Sequence, residues 1–469
     1  LIGPNCLGVI NTANYLNASF SPVMPRAGKI AFISQSGAMG TAILDYATKL
    51  NIGFSKFIST GNKAVIDESE LLEYLATDTN TNIIALYVEQ LKNAPKLIKI
   101  CKKITRGHNA KPIIVIKSGR TNAGASASAS HTGSLAGDDA GYNALFHQTG
   151  MIRVSTMMEL FEHLRVFVHN PLPKGNRVAI VTNAGGPGVL TTDECIAHGL
   201  TLAPISIKTE MALKKNLPAS ANWHNPIDIL GDAKSDRYYH ALKVLAHDSN
   251  VDSIIVILTP QSMTDVEKIA EIITEIKQET NKPIVASFIG GKMVTEGVRI
   301  LQAANIATTN FPEQGARALG ALTSFATQTK IAKPEQEIII HNTNIKKVTQ
   351  ILKAATTMGK KSFPEAEAIR ILEAYNFPIT KSYLVEKPAE VKEAVKYVGG
   401  LAVLKIVSPD ILHKSEVGGI ILNVTPGNAE EKIIELRNNI RHSAPHAKIE
   451  GVLVSEMITD SGIEFILGA

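Results

Sequence analysis

The chain has 469 residues, 45% hydrophobic and 19% charged, an ordinary globular composition too long for one hydrophobic core, so about three domains are expected. Its 48 Lys and Arg against 43 Asp and Glu leave a net charge of +5 with no long run of one sign, which argues against nucleic acid or an anionic membrane as partner. Cys6, Cys101 and Cys195 lie far apart with no CxxC pair, against structural zinc or a disulfide framework and in favour of a reducing cytoplasm; no apolar run approaches the roughly 18 residues of a membrane helix.

The chain opens inside LIGPNCLGVIN and stops directly after GIEFILG, so a piece of a longer polypeptide is expected, with chemistry missing at both ends. From Gly28, GKIAFISQSGAMGTAILDYATKL reads as a buried strand, a turn holding Ser34, Ser36 and Gly37, and an amphipathic helix. From Asn176, NRVAIVTNAGGPGVLTTDECIAHGL repeats that order. Two further pairs support a duplication: TNIIALYVEQ against VDSIIVILTP, and KPIIVIKSG against KPIVASFIGG. The first strands are offset by about 148 residues and the later ones by about 171, so the second copy carries an insertion of some two dozen residues. Each copy reads as a doubly wound parallel sheet, with ligands expected outside the carboxyl ends of its strands.

The helical stretch STMMELFEHLRVFVHN and the PLPKG segment read as a connection between the copies. A polar stretch containing IAKPEQE and HNTN separates off a third region, with a helix in SFPEAEAIRILEAYNF, the strand LAVLKIVS and the loop SPDILHKSEVGG. The expected boundaries are a remnant at 1–24, domains at 25–155 and 176–330, a helical linker at 156–175, a second linker at 331–360, and a last domain at 361–469.

The chemistry centres on His131, set in a loop of small residues, ASASHTGSLAGDDAGY, that leave its ring approachable. Two anion-binding turns could serve a phosphorylated imidazole: Ser36 and Gly37 at the first helix start, and Gly185, Gly186 and Gly188 in NAGGPG at the second. Helix starts carry about half a positive charge and present unpaired N–H groups, and glycine lets a phosphate approach the backbone. Imidazole attacks phosphorus through its unprotonated nitrogen, so a carboxylate should fix the tautomer from the other side; Glu89, at the end of IIALYVEQ, is the candidate. The second copy has no histidine where GGKMVTEGVRI stands, so one copy is the carrier.

GPNCLG, SQSGAMG, SHTGSLAG, NAGGPG and SPDILHKSEVGG, in this order, resemble the NDP-forming acyl-CoA synthetase superfamily, the group containing succinyl-CoA synthetase and the ADP-forming acetyl-CoA synthetases. The resemblance covers nearly the whole chain. It implies an α/β protein of two doubly wound parallel-sheet, flavodoxin-like domains followed by a partial ATP-grasp α+β domain, with residues 1–24 the end of a CoA-binding Rossmann-like domain. By the same resemblance His131 is the phosphorylated histidine, Glu89 its support, and the two helix starts its cradle. Asn5 and Cys6 fall near the acyl-transfer site, Lys405 contacts nucleotide phosphates, Glu456 lies near the adenine, and His413 relays phosphoryl between nucleotide and His131.

The implied reaction is that of an acid–thiol ligase, converting acid, CoA and ATP to acyl-CoA, ADP and phosphate through phosphohistidine and acyl phosphate. Acetate or another small carboxylate is the expected substrate. ATP/ADP, CoA and Mg2+ are the implied cofactors, with the Mg2+ ligands expected beyond residue 469 and none in this stretch. A cytoplasmic homo-oligomer is expected. Two alternatives stand: the ligase-like regulatory part of a protein lysine acetyltransferase fused to a GNAT-type domain, and a binding module that only holds nucleotide or CoA.

Overall fold

The computed structural model describes residues 1–132, 138–330, 343–359, 363, 365–411, 413–459 and 462, the side chains of 128–132 and 366 excepted. The chain divides into two units, Leu1–Gln336 and Glu337–Ala469.

The first unit opens with a hairpin, β1 (Gly8–Asn11) and β2 (Leu16–Ser19). The first module then runs β3 (Ala27–Ser34), α1 (Gly37–Lys49), β4 (Phe54–Ser59), α2 (Glu68–Thr77), β5 (Ile83–Val88), α3 (Ala94–Thr105), β6 (Ile113–Lys117), α4 (Asn122–Thr132), α5 (Asp139–Thr149), β7 (Ile152–Val154) and α6 (Met157–His169). Strands β4-β3-β5-β6-β7 are parallel neighbours in that order, the flavodoxin-like arrangement. Their apolar runs, such as Ile30 to Ile33 and Ile113 to Val115, are buried because helices cover both faces. The hairpin adds to the free edge, β1 running antiparallel to β4. Residues 1–24, expected as the remnant of a separate domain, thus extend this module's sheet.

The second module runs β8 (Arg177–Thr182), α7 (Gly185–Ala197), β9 (Thr201–Leu202), α8 (Ile207–Asn216), β10 (Ile227–Asp228), α9 (Ser235–His247), β11 (Ser253–Leu258), α10 (Val266–Glu279), β12 (Ile284–Phe288), α11 (Thr295–Ala303), β13 (Ala307–Thr309) and α12 (Pro312–Thr329). Here β9 pairs with the start of β8 and β10 with its end, on the edge opposite β11. These two short pieces fill the place that the continuous β4 fills in the first module. The insertion inferred from the two offsets is therefore α8 and its flanking segments, splitting the second strand in two.

Two sequence expectations are corrected. The stretch 156–175 is no linker: Leu160, Phe161, Leu164, Val166 and Phe167 of α6 are buried in one core. That core also holds Phe32, Phe57 and Ile114 of the first sheet, Val178, Ile180 and Ile255 of the second, and Leu319, Leu322 and Phe325 of α12. The second correction concerns the small-residue run before His131, read as loop. It is helical to Thr132, because its alanines have high helix propensity and the Thr121 hydroxyl accepts the Gly124 N–H at 3.1 Å at the helix start. Residues 133–137 lie outside the described residues.

The second unit holds α13 (Ile345–Thr357), α14 (Glu365–Ala374), β14 (Ser382–Val385), α15 (Val391–Tyr397), β15 (Ala402–Val407), β16 (Ile420–Val424), α16 (Ala429–Ser443) and β17 (Gly451–Glu456). Its sheet, β14-β17-β15-β16, is antiparallel throughout. One face, with Ala402, Leu404, Ile406, Val452 and Val454, is buried with Val395 of α15 and Ile433 and Leu436 of α16. The expected linker at 331–360 contains α13: Val348 and Ala355, seven residues apart, are buried, a helical spacing hidden in polar surroundings.

Two predictions follow from α6. Leu164→Ala removes a fully buried side chain from the shared core and should cost about 2–5 kcal/mol, with hydrogen-exchange protection falling in both β5 and β11; loss confined to one module would contradict a shared core. Glu162, 7% exposed, is pushed by burial from 4.5 to about 7. The native chain then keeps a proton that the unfolded chain releases between these values, so stability falls as pH rises through that window. Glu162→Gln should gain about 3 kcal/mol on wild type between pH 4.5 and pH 8 in urea unfolding; an equal gap at both pH values would count against a buried, raised carboxyl.

Candidate active site

At the carboxyl end of β3 the chain turns sharply. The Ser34 hydroxyl donates to the Ser36 carbonyl at 2.8 Å and accepts the Ser36 N–H at 3.2 Å. Ser36 then caps α1, its hydroxyl accepting the Met39 N–H at 3.3 Å. The first N–H groups of a helix have no intrahelical acceptor, and Gly37 and Ala38 line a cleft of about 730 Å3.

Gln35 ties this turn to the end of β5. Its Oε1 accepts the N–H groups of Glu89 at 2.8 Å and Gln90 at 3.0 Å, while its Nε2 donates to the Gln90 carbonyl at 2.6 Å and to Glu68. Lys63 closes the network, donating to the Gln90 carbonyl at 2.6 Å and pairing with buried Glu68 at 2.9 Å. Glu89, 8% exposed, lines the cleft, and no described side chain donates to its carboxylate. The backbone clamp fixes the strand end without using that carboxylate.

The opposite wall is GPNCLG. The Asn62 N–H donates to the Pro4 carbonyl at 2.9 Å, the Ala64 N–H to the Gly3 carbonyl at 3.0 Å, and the Leu7 N–H to the Ser59 hydroxyl at 2.9 Å. This close approach needs glycine at 61: φ is +52°, and a Cβ there would stand 2.2 Å from the Pro4 and Asn5 carbonyl oxygens. Asn5, Cys6, Ser36, Gly37 and Glu89, singled out from sequence, meet in this one cleft. The side chain of His131 lies outside the described residues.

The second helix start repeats the first in detail. The Thr182 hydroxyl donates to the Ala184 carbonyl at 2.8 Å and accepts its N–H at 3.0 Å; Asn183 exchanges hydrogen bonds with Thr259 as Gln35 does with Glu89 and Gln90. Two differences matter. Thr259 stands where the first module has Glu89, and α7 has no side-chain cap. Asp228 lies close instead: a Cβ on Gly185 would be 3.3 Å from its Oδ2. Gly185, Gly186 and Gly188 do not line the cleft.

In the second unit, the Lys405 ammonium on β15 is held by Glu365 of α14 at 2.7 Å, and Lys414 by the other oxygen of Glu365 at 2.8 Å. Burial alone would raise the Glu365 carboxyl, but hydrogen bonds and charge from both lysines outweigh it and keep it below the usual carboxylate range. These two cations suit a phosphate-bearing ligand. His413 is exposed. Glu456 ends β17 opposite Ala402, and its Oε2 accepts the Lys381 N–H at 3.3 Å. Lys405 pairs with Leu453, so alternation along β17 puts Lys405 and Glu456 on opposite faces of the sheet, with Glu456 at the strand end.

Sequence reading missed Gln35, Lys63, Glu68, Glu365 and Lys414. Gln35 sits inside the quoted SQSG turn, and Lys414 directly follows His413; only tertiary contacts reveal the rest. Among the described residues no group of three or more His, Cys, Asp or Glu could hold a metal ion, and no helix is long and apolar enough to cross a membrane.

Comparison with known proteins agrees with this layout. Residues 27–167 match the succinyl-CoA ligase like flavodoxin domain, 178–332 the ligase-CoA domain, and 354–469 an ATP-grasp domain. An acetate–CoA ligase [ADP-forming] I of Archaeoglobus fulgidus is 39% identical over 468 residues, covering 100% of this chain and 66% of that protein. The acetate–CoA ligase [ADP-forming] of Methanocaldococcus jannaschii is 42% identical over 482 residues, covering 100% of this chain and 67% of its own length. The chain thus spans about two thirds of these relatives. Acetyl-coenzyme A synthetase 1 of Ca. Korarchaeum cryptofilum, solved in complex with phosphate and ADP, aligns with a TM-score of 0.67 at 36% identity over 70% of this chain and 71% of that one. The parallel-sheet modules, the antiparallel unit and these matches agree: the chain belongs to the NDP-forming acyl-CoA synthetase superfamily.

Proposed function

We propose that this chain carries the phosphoryl-transfer core of an ADP-forming acyl-CoA ligase, most simply an acetate–CoA ligase, which interconverts acid, CoA and ATP with acyl-CoA, ADP and phosphate. The carrying observation is the cleft at the α1 start, where capped but unpaired N–H groups, an uncommitted buried carboxylate and the GPNCLG loop converge. An N–H cradle binds phosphate without a metal.

In this reading His131 carries the phosphoryl group into the cleft, where the Gly37 and Ala38 N–H groups hold its oxygens. Glu89 accepts the N–H of the opposite ring nitrogen, keeping the attacking nitrogen unprotonated before transfer and stabilising the charged ring after it. Carboxylate substrate attacks phosphorus, the phosphorus–nitrogen bond breaks, and the resulting acyl phosphate is opened by the CoA thiol beside Asn5 and Cys6. Gly185, Gly186 and Gly188 form a second cradle, joined to the first through the common core. In the second unit Lys405 contacts nucleotide phosphates, Glu456 stands by the base, and His413 passes phosphoryl onward. Bound Mg2+ would neutralise phosphate charge during that transfer. A cytoplasmic location and a homo-oligomeric assembly complete the reading.

Incubating the complete protein with radiolabelled ATP and Mg2+ should give an acid-labile, base-stable phosphoprotein, lost in His131→Ala. An unlabelled wild type would end the ligase reading. Glu89→Gln should slow phosphoryl transfer by about 10²-fold or more at an unchanged melting temperature, since its backbone, not its carboxylate, is bonded to Gln35. An unaltered transfer rate would remove Glu89 from the mechanism.

A further inference from the structure

Between the two modules of the first unit, α1, α6, α11 and β13 enclose a second cavity of about 260 Å3, apart from the cleft. Glu162 and Arg165, one turn apart on α6, both line it and are only 7% and 8% exposed. Nη2 of Arg165 is fully buried with no hydrogen-bond partner, and no described residue bonds to or pairs with the rest of its guanidinium. The Glu162 carboxyl is likewise without a partner among the described residues. These two groups therefore do not satisfy each other.

A buried guanidinium without an acceptor is costly. Water would fill its hydrogen bonds but leave the charge uncompensated, and Glu162 cannot supply the missing charge while burial keeps it protonated up to about pH 7. An anion with two oxygens meets both needs: one accepts from the guanidinium, whose planar fork matches a carboxylate, and the other accepts the Glu162 O–H. The remaining wall mixes apolar surface from Phe161 and Val298, which suits a small alkyl group, with polar side chains of Lys49, Gln302, Thr308 and Asn310, so the carboxylate match rests on the Arg165 fork and the Glu162 carboxyl. We infer that this cavity is a binding site for a small monocarboxylate anion, held between Arg165 and Glu162 where the two modules meet.

The charged and titratable groups around Glu162 are Arg317 and Glu313 on α12, Glu159 and Arg165 on α6, and Tyr46 and Lys49 on α1; α11 and β13 contribute only uncharged wall residues. His163 on α6 is also buried, which lowers its pKa. The site stands about 20 Å from the cleft along α1, whose start lines one and whose end lines the other.

The test is calorimetric titration of sodium acetate, at constant ionic strength, into the complete protein carrying His131→Ala. That background has no phosphohistidine, and acetate held in the cleft is set apart as the binding that Arg165→Met leaves unchanged, so the failure of the ligase reading and of this one are distinguishable. One saturable site beyond the cleft is expected at pH 6, weakening about thirtyfold at pH 8.5 because binding retains one proton on a group titrating near 7. Arg165→Met should abolish it at both pH values. Glu162→Gln, neutral and still a donor, should hold the pH 6 affinity at pH 8.5. Absence of saturable binding at pH 6, an unchanged isotherm in Arg165→Met, or a thirtyfold loss persisting in Glu162→Gln would each overturn the proposal. Should Arg165→Met not fold, the Glu162→Gln comparison decides alone.

Discussion

Everything in the first unit depends on one apolar layer, the α6 and α12 helices pressed between two parallel sheets. Each sheet, taken alone, would expose the face bearing Phe32 and Phe57 or that bearing Ile180 and Ile255, and both are buried in the same cluster with Leu164, Leu319 and Leu322. Burial of this kind is worth about 1.5–3 kcal/mol per large side chain, so the two modules gain more from each other than either would from solvent-facing helices. A common core fixes the two sheets relative to each other, and with them the helix starts at their carboxyl edges. A phosphate cradle of backbone N–H groups works only if its position is fixed, because the groups have no side-chain reach.

The duplication keeps the cradle and changes the chemistry. Ser34 and Thr182 make the same pair of hydrogen bonds to the turn two residues on, and Gln35 and Asn183 make the same clamp to the neighbouring strand end. Those contacts set backbone geometry, which both copies need for a helix start facing outward. At the clamped position the copies diverge, Glu89 against Thr259, and only the first places a titratable group there. The insertion that splits the second strand lies between β9 and β10 and leaves β10 beside the end of β8. It lengthens the edge and spares the turn.

Much of this was legible in sequence because it rests on local pattern. The apolar strands, the glycine turns and the unequal offsets of the repeats follow from residue spacing, and Asn5, Cys6, Ser36, Gly37 and Glu89 meet as the strand-end rule requires. What sequence hid was tertiary. Whether STMMELFEHLRVFVHN is a connector or a core helix depends on what covers it; its apolar positions are the same either way. The run before His131 contains the alanines of a helix and the serines of a loop, and the Thr121 cap decides between them. Gln35 and Glu68 become a clamp only when α2 and the end of β5 come together, and Glu365 meets Lys405 from 40 residues away. The buried, partnerless state of Arg165 has no signature in composition at all.

A common electrostatic arrangement connects these sites. Three lysines near the proposed phosphate positions already hold carboxylates: Lys63 is paired with Glu68, and Lys405 and Lys414 share Glu365, while Lys92, also at the cleft, donates to the Lys63 carbonyl. An incoming phosphate at the second unit must therefore exchange with a resident carboxylate rather than meet a bare cation. The energy of such an exchange is the difference between two ion pairs and is much smaller than either. A phosphoryl group that is to be passed on in both directions needs that small difference, since a site that held it tightly would become its endpoint. The α1 start reaches the same end by another route: its N–H groups hold an anion with partial charge alone, about 0.3–1 kcal/mol for an exposed helix end and up to about 2 when partly buried. In the proposed reaction, moderate binding at each station, by exchange in one unit and by helix dipole in the other, is the condition for reversible transfer.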